Sequence, residues 1–117
     1  MRKFKACAIR GEETAIGIVE YVEGNRTTVI HSVYYPENLS GRETYHATID
    51  YILEQVDPDD QILLRTSKIP ERKEWLGQYT DRVKAHGERF QDFKHGEAMR
   101  LAEDALQRKT TIKETII

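Results

Sequence analysis

The run QILLRT at residues 61–66 limits the possible folds more than any other segment. From Ile62 to Leu64 it is apolar without alternation, the pattern of a strand covered on both faces and parallel to its neighbours. It follows a helix-patterned segment, and that segment follows three strand-patterned runs. A strand, a helix and a parallel strand in that order favour a right-handed crossover onto one sheet. The run stops at Arg65-Thr66-Ser67, and Pro70 forbids further pairing. Strand ends often carry the chemistry of α/β domains. This tip offers no acid, cysteine or histidine.

The segments on either side complete the pattern. KFKACAIRG alternates and ends at the turn Gly11-Glu12-Glu13. TAIGIVEYVEG places Ile16, Ile18 and Tyr21 on a strand, and Gly24-Asn25 marks a tight turn. RTTVIHSVYY resumes with β-branched and aromatic residues until Pro36. Three runs joined by short turns predict an antiparallel meander. In NLSGRETYHATIDYILEQV, Tyr45, Ile49, Ile52, Leu53 and Val56 recur at helical spacing, and Ser40 with Glu43 fits a capping box. Beyond Pro70, Leu76, Tyr79, Val83, His86 and Phe90 allow one helix, while DRVKAHG fits a short strand equally well. GEAMRLAEDALQRK reads as a helix with Met99, Leu101, Ala102, Ala105 and Leu106 on its apolar face, and TTIKETII reads as a short strand or a tail. The expected organisation is one domain over residues 1–109, followed by residues 110–117.

A chain of 117 residues fits one domain and needs no covalent staple. With 18 basic and 20 acidic residues, bulk charge does not point to nucleic acid, although a local basic patch does not depend on that balance. A single cysteine, Cys7, excludes an intrachain disulfide and any cysteine-cluster zinc site, and reads as a small buried hydrophobe. The apolar run near the N-terminus is too short for a signal peptide or a membrane span, so the default expectation is a cytoplasmic protein without a membrane partner.

The order of elements, together with several segments, resembles the ribonuclease H-like superfamily. AIGIVEYVEGNRTTVIHSVYY is similar to that family's second and third strands, with the small Gly17 early in the second. SGRETYHATIDYIL resembles its first helix, QILLRTS the strand that usually ends Thr-Asp-Ser, and VKAHG with GEAMRLAEDAL its closing segments. The resemblance implies an α/β, ribonuclease H-like mixed sheet: a three-strand antiparallel meander, a helix, a parallel strand, then C-terminal helices. It also implies four carboxylates holding two divalent metals. By that alignment the four positions carry Arg10, Thr44, Ser67 and Met99, and only the histidine, at His86, is kept. A guanidinium about 4 Å from a metal charge repels it by roughly 4 kcal/mol even with moderate screening. The resemblance therefore implies a domain without catalytic residues, metal or cofactor.

Candidate sites follow from this. Arg10, Arg42 and Lys68 are expected to converge near one cleft and to bind nucleic-acid phosphates, with Arg65 considered beside them; surface ion pairing is the bland alternative in a chain that is 32% charged. Glu12, Glu43 and Asp50 are the acids that a divergent metal-dependent nuclease would use, Glu43 being better explained as a cap. His46 and Asp50 lie four apart on the helix, His31 reads as half-buried in its strand, and Trp75 with Tyr79 reads more as core than as a base-stacking pair. Phe90 and Phe93, flanked by His86 and His95, read as pinning a glycine-bounded loop to the core. The functional expectation is a binding module for nucleic acid or protein. A divergent nuclease and a small assembly protein, self-associating as a homo-oligomer, are the alternatives.

Overall fold

A computed structural model describes residues 1–22, 24, 26–67, 81–89, 91, 93 and 96–116. The described elements are β1 (Arg2–Arg10), β2 (Thr14–Val22), β3 (Arg26–Tyr35), α1 (Gly41–Gln55), β4 (Ile62–Thr66), β5 (Val83–Gly87), α2 (Glu97–Arg108) and β6 (Ile112–Thr115). They form one mixed sheet in the order β5-β4-β1-β2-β3-β6. The expected meander is β1-β2-β3, and β4 pairs parallel to β1 as its unbroken apolar run requires. Residues 83–87 are a strand parallel to β4, so a single helix reaching Phe90 is excluded; the helix pattern at Leu76 and Tyr79, like Trp75, Lys68, Phe90 and His95, lies outside the described residues. The chain ahead of Ile116 pairs as β6 with the outer edge of β3.

Alternation along the strands sends side chains to two faces, and each face receives one of the two described helices. Phe4, Ala6, Ile16, Ile18, Val33, Ile62 and Leu64 pack against Tyr45, Ile49 and Ile52 of α1. Ser40 caps α1 by accepting from the Glu43 amide, while the Glu43 carboxylate accepts from the Ser40 amide. The opposite face carries Cys7, Ile9 and Ala15 against Ala98, Met99, Ala102 and Ala105 of α2. Here the approach is unusually close. A Cβ built on Gly17 would lie 1.7 Å from the Ala98 carbonyl oxygen and 2.7 Å from the Ala102 nitrogen. Only a residue without a side chain fits. Tyr21 belongs to this second face, opposite to Ile16 and Ile18, because an odd spacing reverses direction along a strand.

Two polar arrangements fasten the layers. Arg2 donates to both carboxylate oxygens of Glu20 at 2.8 Å and to Asp60 at 3.3 Å, tying β1 to β2 and to the loop after α1. Glu13, in the first turn, accepts from Tyr34 and from Lys109, the left-handed C-cap of α2. His31 corrects the half-buried expectation. It is 1% exposed, and its Nδ1 lies 2.9 Å from the Tyr51 hydroxyl of α1.

Two outcomes follow. Gly17→Ala should lower stability by about 3 kcal/mol or more, because the added methyl meets backbone rather than a movable side chain; an unchanged urea midpoint would show that α2 does not sit on Gly17. Burial first, then Lys113, lowers the His31 pKa from 6.5 to about 4, with Glu20 opposing. As pH falls, the unfolded chain takes up this proton first, so the stabilisation is complete above about pH 6.5 and is lost towards pH 4. Urea midpoints measured across that window should decline, and His31→Gln should flatten the decline.

Candidate functional site at the strand ends

The C-terminal ends of β1 and β4 face the first turns of both helices. The parallel register sets Ala6 beside Thr66, which brings Cys7 level with Ser67. The two side chains hydrogen-bond, and Met99 and Phe93 pack on the thiol. On the α1 side, Thr44 and Thr48 reach a cavity of about 230 Å3 that Cys7, Ser67, Thr66 and Arg10 also line. Its volume holds a handful of waters at about 30 Å3 each and lies below the roughly 300–1,000 Å3 of ordinary ligand pockets.

Three of the four expected positions therefore do gather here: Thr44, Ser67 and Met99. The fourth is corrected. The β1 residue level with Ser67 is Cys7, and Arg10 lies three residues further along, exposed, at the strand's last position. The site does not close the strand, because β1 runs beyond β4 in this fold.

The chemistry of the cluster is soft and neutral. Burial pushes the Cys7 thiol above its ordinary pKa, with the Ser67 hydrogen bond opposing, so the sulfur stays protonated near neutrality. The Thr44 and Thr48 hydroxyls donate 2.8 Å bonds back to the Ser40 and Thr44 carbonyls. Met99 offers a thioether. Divalent magnesium prefers charged oxygen ligands, and this donor set does not fit a pair of such ions. Among the described residues, no three His, Cys, Asp or Glu side chains gather to hold a metal, the His46–Asp50 pair included.

The acids considered for a displaced site are engaged or scattered. Glu43 is held in the capping box, Asp50 is exposed further along α1, and Glu12 is exposed in the first turn. The cations divide as well. Arg10 swings over the start of α1, where a Cβ on Gly41 would lie 3.6 Å from its Nη1, and Arg42 follows in the same turn. Two guanidinium groups at the positive end of a helix are each unfavourable by roughly 0.3–1 kcal/mol, so helix stability does not account for them. Arg65 leaves this group. It points to the α2 side and pairs with Glu88 and the Tyr21 hydroxyl. Lys68 lies outside the described residues. His86 is exposed on β5 beside Arg65 and does not line the cavity, and Phe93 is buried against Cys7 as a loop anchor.

No protein-family model matches the sequence, and no curated protein matches it significantly. Solved structures do match the fold. Ribonuclease H1 LC11, in its complex with an RNA/DNA hybrid, superposes with a TM-score of 0.64 at 17% identity, over 93% of this chain and 99% of that one. A structure of LC11 isolated from compost by a metagenomic approach gives 0.61 at 18%, over 93% and 99%. Ribonuclease H1 of the halophilic archaeon Halobacterium salinarum gives 0.58 at 14%, over 91% and 98%. The chain has a ribonuclease H-like fold.

The shared fold takes in almost the whole of each of those chains, 98–99% of their length. Sequence reasoning missed Cys7 as a member of the strand-end cluster. The small residues around it, Ala6 and Ala8, were the available signal, since they mark where helices approach a strand closely. Cys7 should react with a water-soluble disulfide reagent at least about tenfold slower in the native protein than in urea; equal rates would show that the strand end is open to solvent.

Proposed function

We propose that this chain is a non-catalytic ribonuclease H-like domain that binds nucleic acid at its strand ends. The observation carrying the reading is the set Cys7, Ser67, Thr44 and Met99 where β1, β4 and both helices converge, with no carboxylate among them. In place of metal ligands the site presents Arg10 and Arg42 beside the first turn of α1. Arginines and a helix N-terminus together suit phosphate oxygens, through charge and through directed N–H bonds. Lys68 is proposed as a third cation of this site. One of the structural neighbours is held in a complex with an RNA/DNA hybrid, which makes that duplex the natural ligand to try. No described helix is long and apolar enough to cross a membrane.

The test pairs binding with cleavage. The domain should bind a short RNA–DNA hybrid with an affinity that falls steeply with salt, and Arg10→Ala with Arg42→Ala should weaken it about tenfold or more. With magnesium or manganese added it should neither cleave the hybrid nor gain thermal stability. Metal-dependent cleavage would overturn the reading in favour of a nuclease built on displaced acids. Failure to bind, together with elution as an oligomer, would favour an assembly role.

A further inference from the structure

Among the described residues, the sheet face that carries α2 is only half covered. The helix lies on β1, β2 and β3, seated on Gly17. Strand registers fix what stands on the other half. One row across the sheet reads Tyr21, Lys3, Leu63, Lys84, and the next reads Val19, Lys5, Arg65, His86. All eight side chains point to the same face, because directly paired residues share a side. Lys84 and His86 are exposed, Lys3, Lys5, Leu63 and Arg65 are partly exposed, and Tyr21 is buried at the base, with the Lys5 ammonium 5.2 Å from its ring centre. Four permanent cations thus occupy two adjacent rows. Among the described residues, the acids bordering them include Glu88, which pairs with Arg65, and Glu97, which accepts from Thr27 beside the cavity at the start of α2.

We propose that this open half of the sheet is a second nucleic-acid contact surface, gripping the phosphate backbone without reading sequence. The charge repeats at a spacing set by the sheet, about 6.8 Å along β1 from Lys3 to Lys5 and about 9.6 Å across two strands from Lys3 to Lys84. A repeating array of cations complements a polymer with regularly spaced phosphates. A protein partner would need an apolar centre ringed by polar groups, and this face has its cations at the centre, with Leu63 as the lone aliphatic side chain between them. Met1 is exposed at its far end, one side chain rather than a patch. Base stacking is not part of the contact, since Tyr21 is buried. The proposal adds to the strand-end reading a surface on the opposite face from Arg10, and it rests on that reading only in sharing a ligand.

The experiment measures hybrid affinity by fluorescence anisotropy at roughly 50 and 200 mM salt for four proteins. Lys3→Gln with Lys84→Gln removes two cations from the open face without touching the core. That variant should bind at least about tenfold more weakly at low salt, with a log–log salt slope shallower by about 1.5–2. Arg26→Gln with Arg108→Gln, the same charge change elsewhere, should stay within about twofold of wild type. Wild-type affinity and slope in the lysine variant, alongside loss in Arg10→Ala with Arg42→Ala, would overturn this surface and leave the strand-end site standing. Loss in the lysine variant alone would support the surface and remove the strand-end site. Absence of hybrid binding by the wild type would overturn both. Lysine-dependent flotation with phosphatidylcholine–phosphatidylserine vesicles and no hybrid binding would overturn this proposal in favour of an anionic membrane. Thermal melting of each variant guards against loss of fold, and Lys5→Gln provides an independent second probe of the same rows.

Discussion

The contact between the backbone of α2 and the bare backbone of Gly17 is the constraint from which the rest of the geometry follows. Helices normally stand off a sheet by the thickness of their side chains. Here Ala98 and Ala102 approach a strand position that has no Cβ, and a single methyl would collide with a carbonyl oxygen. That close seating lays Met99 on Cys7 and sets Ala105 on Ala15. On the other face the larger side chains of Phe4, Ile16 and Ile18 pack with Ile49 and Ile52 of α1. The two faces of one sheet are thus packed by different means, small residues against small on one side and large aliphatics on the other.

The electrostatics of the strand ends follow from this packing. Because α2 closes over Cys7, the thiol is removed from water and held neutral. On the other face the Thr44 and Thr48 hydroxyls donate to carbonyls one turn back along α1. The centre of the site is therefore uncharged. Its positive charge comes from Arg10 and Arg42 at the margin, where solvation keeps it inexpensive. Among the described residues, the same seating of α2 over β1 to β3 leaves the far rows of β4 and β5 uncovered. Covered and open halves of one face are two consequences of one helix position.

Much of the architecture was legible in the residues because local chemistry and global fold agree. Glycine at φ +85° in the second turn, the Ser40–Glu43 box and the unbroken QILL run each specify their element without help from distant parts of the chain. Residues 83–87 were ambiguous because a short apolar stretch fits either period, and pairing with β4 decided it. His31 was read as half-buried because alternation gives the face of a strand residue, not what covers it. Tyr51 and the added strand β6 provide that cover from far along the chain.

The sequence by itself determined the order and type of the elements from β1 to β4, the final helix, and the lack of acids at the tip of β4. Only the tertiary structure decided that Cys7, rather than Arg10, stands beside Ser67. The tertiary structure also decided that Arg65 faces away from Arg10, and that Lys3, Lys5 and Lys84 form one surface. The physical reason is register. Hydrophobic period tells which residues share a side of one strand, but a slide of one strand along the next leaves that period intact while changing every neighbour across the sheet.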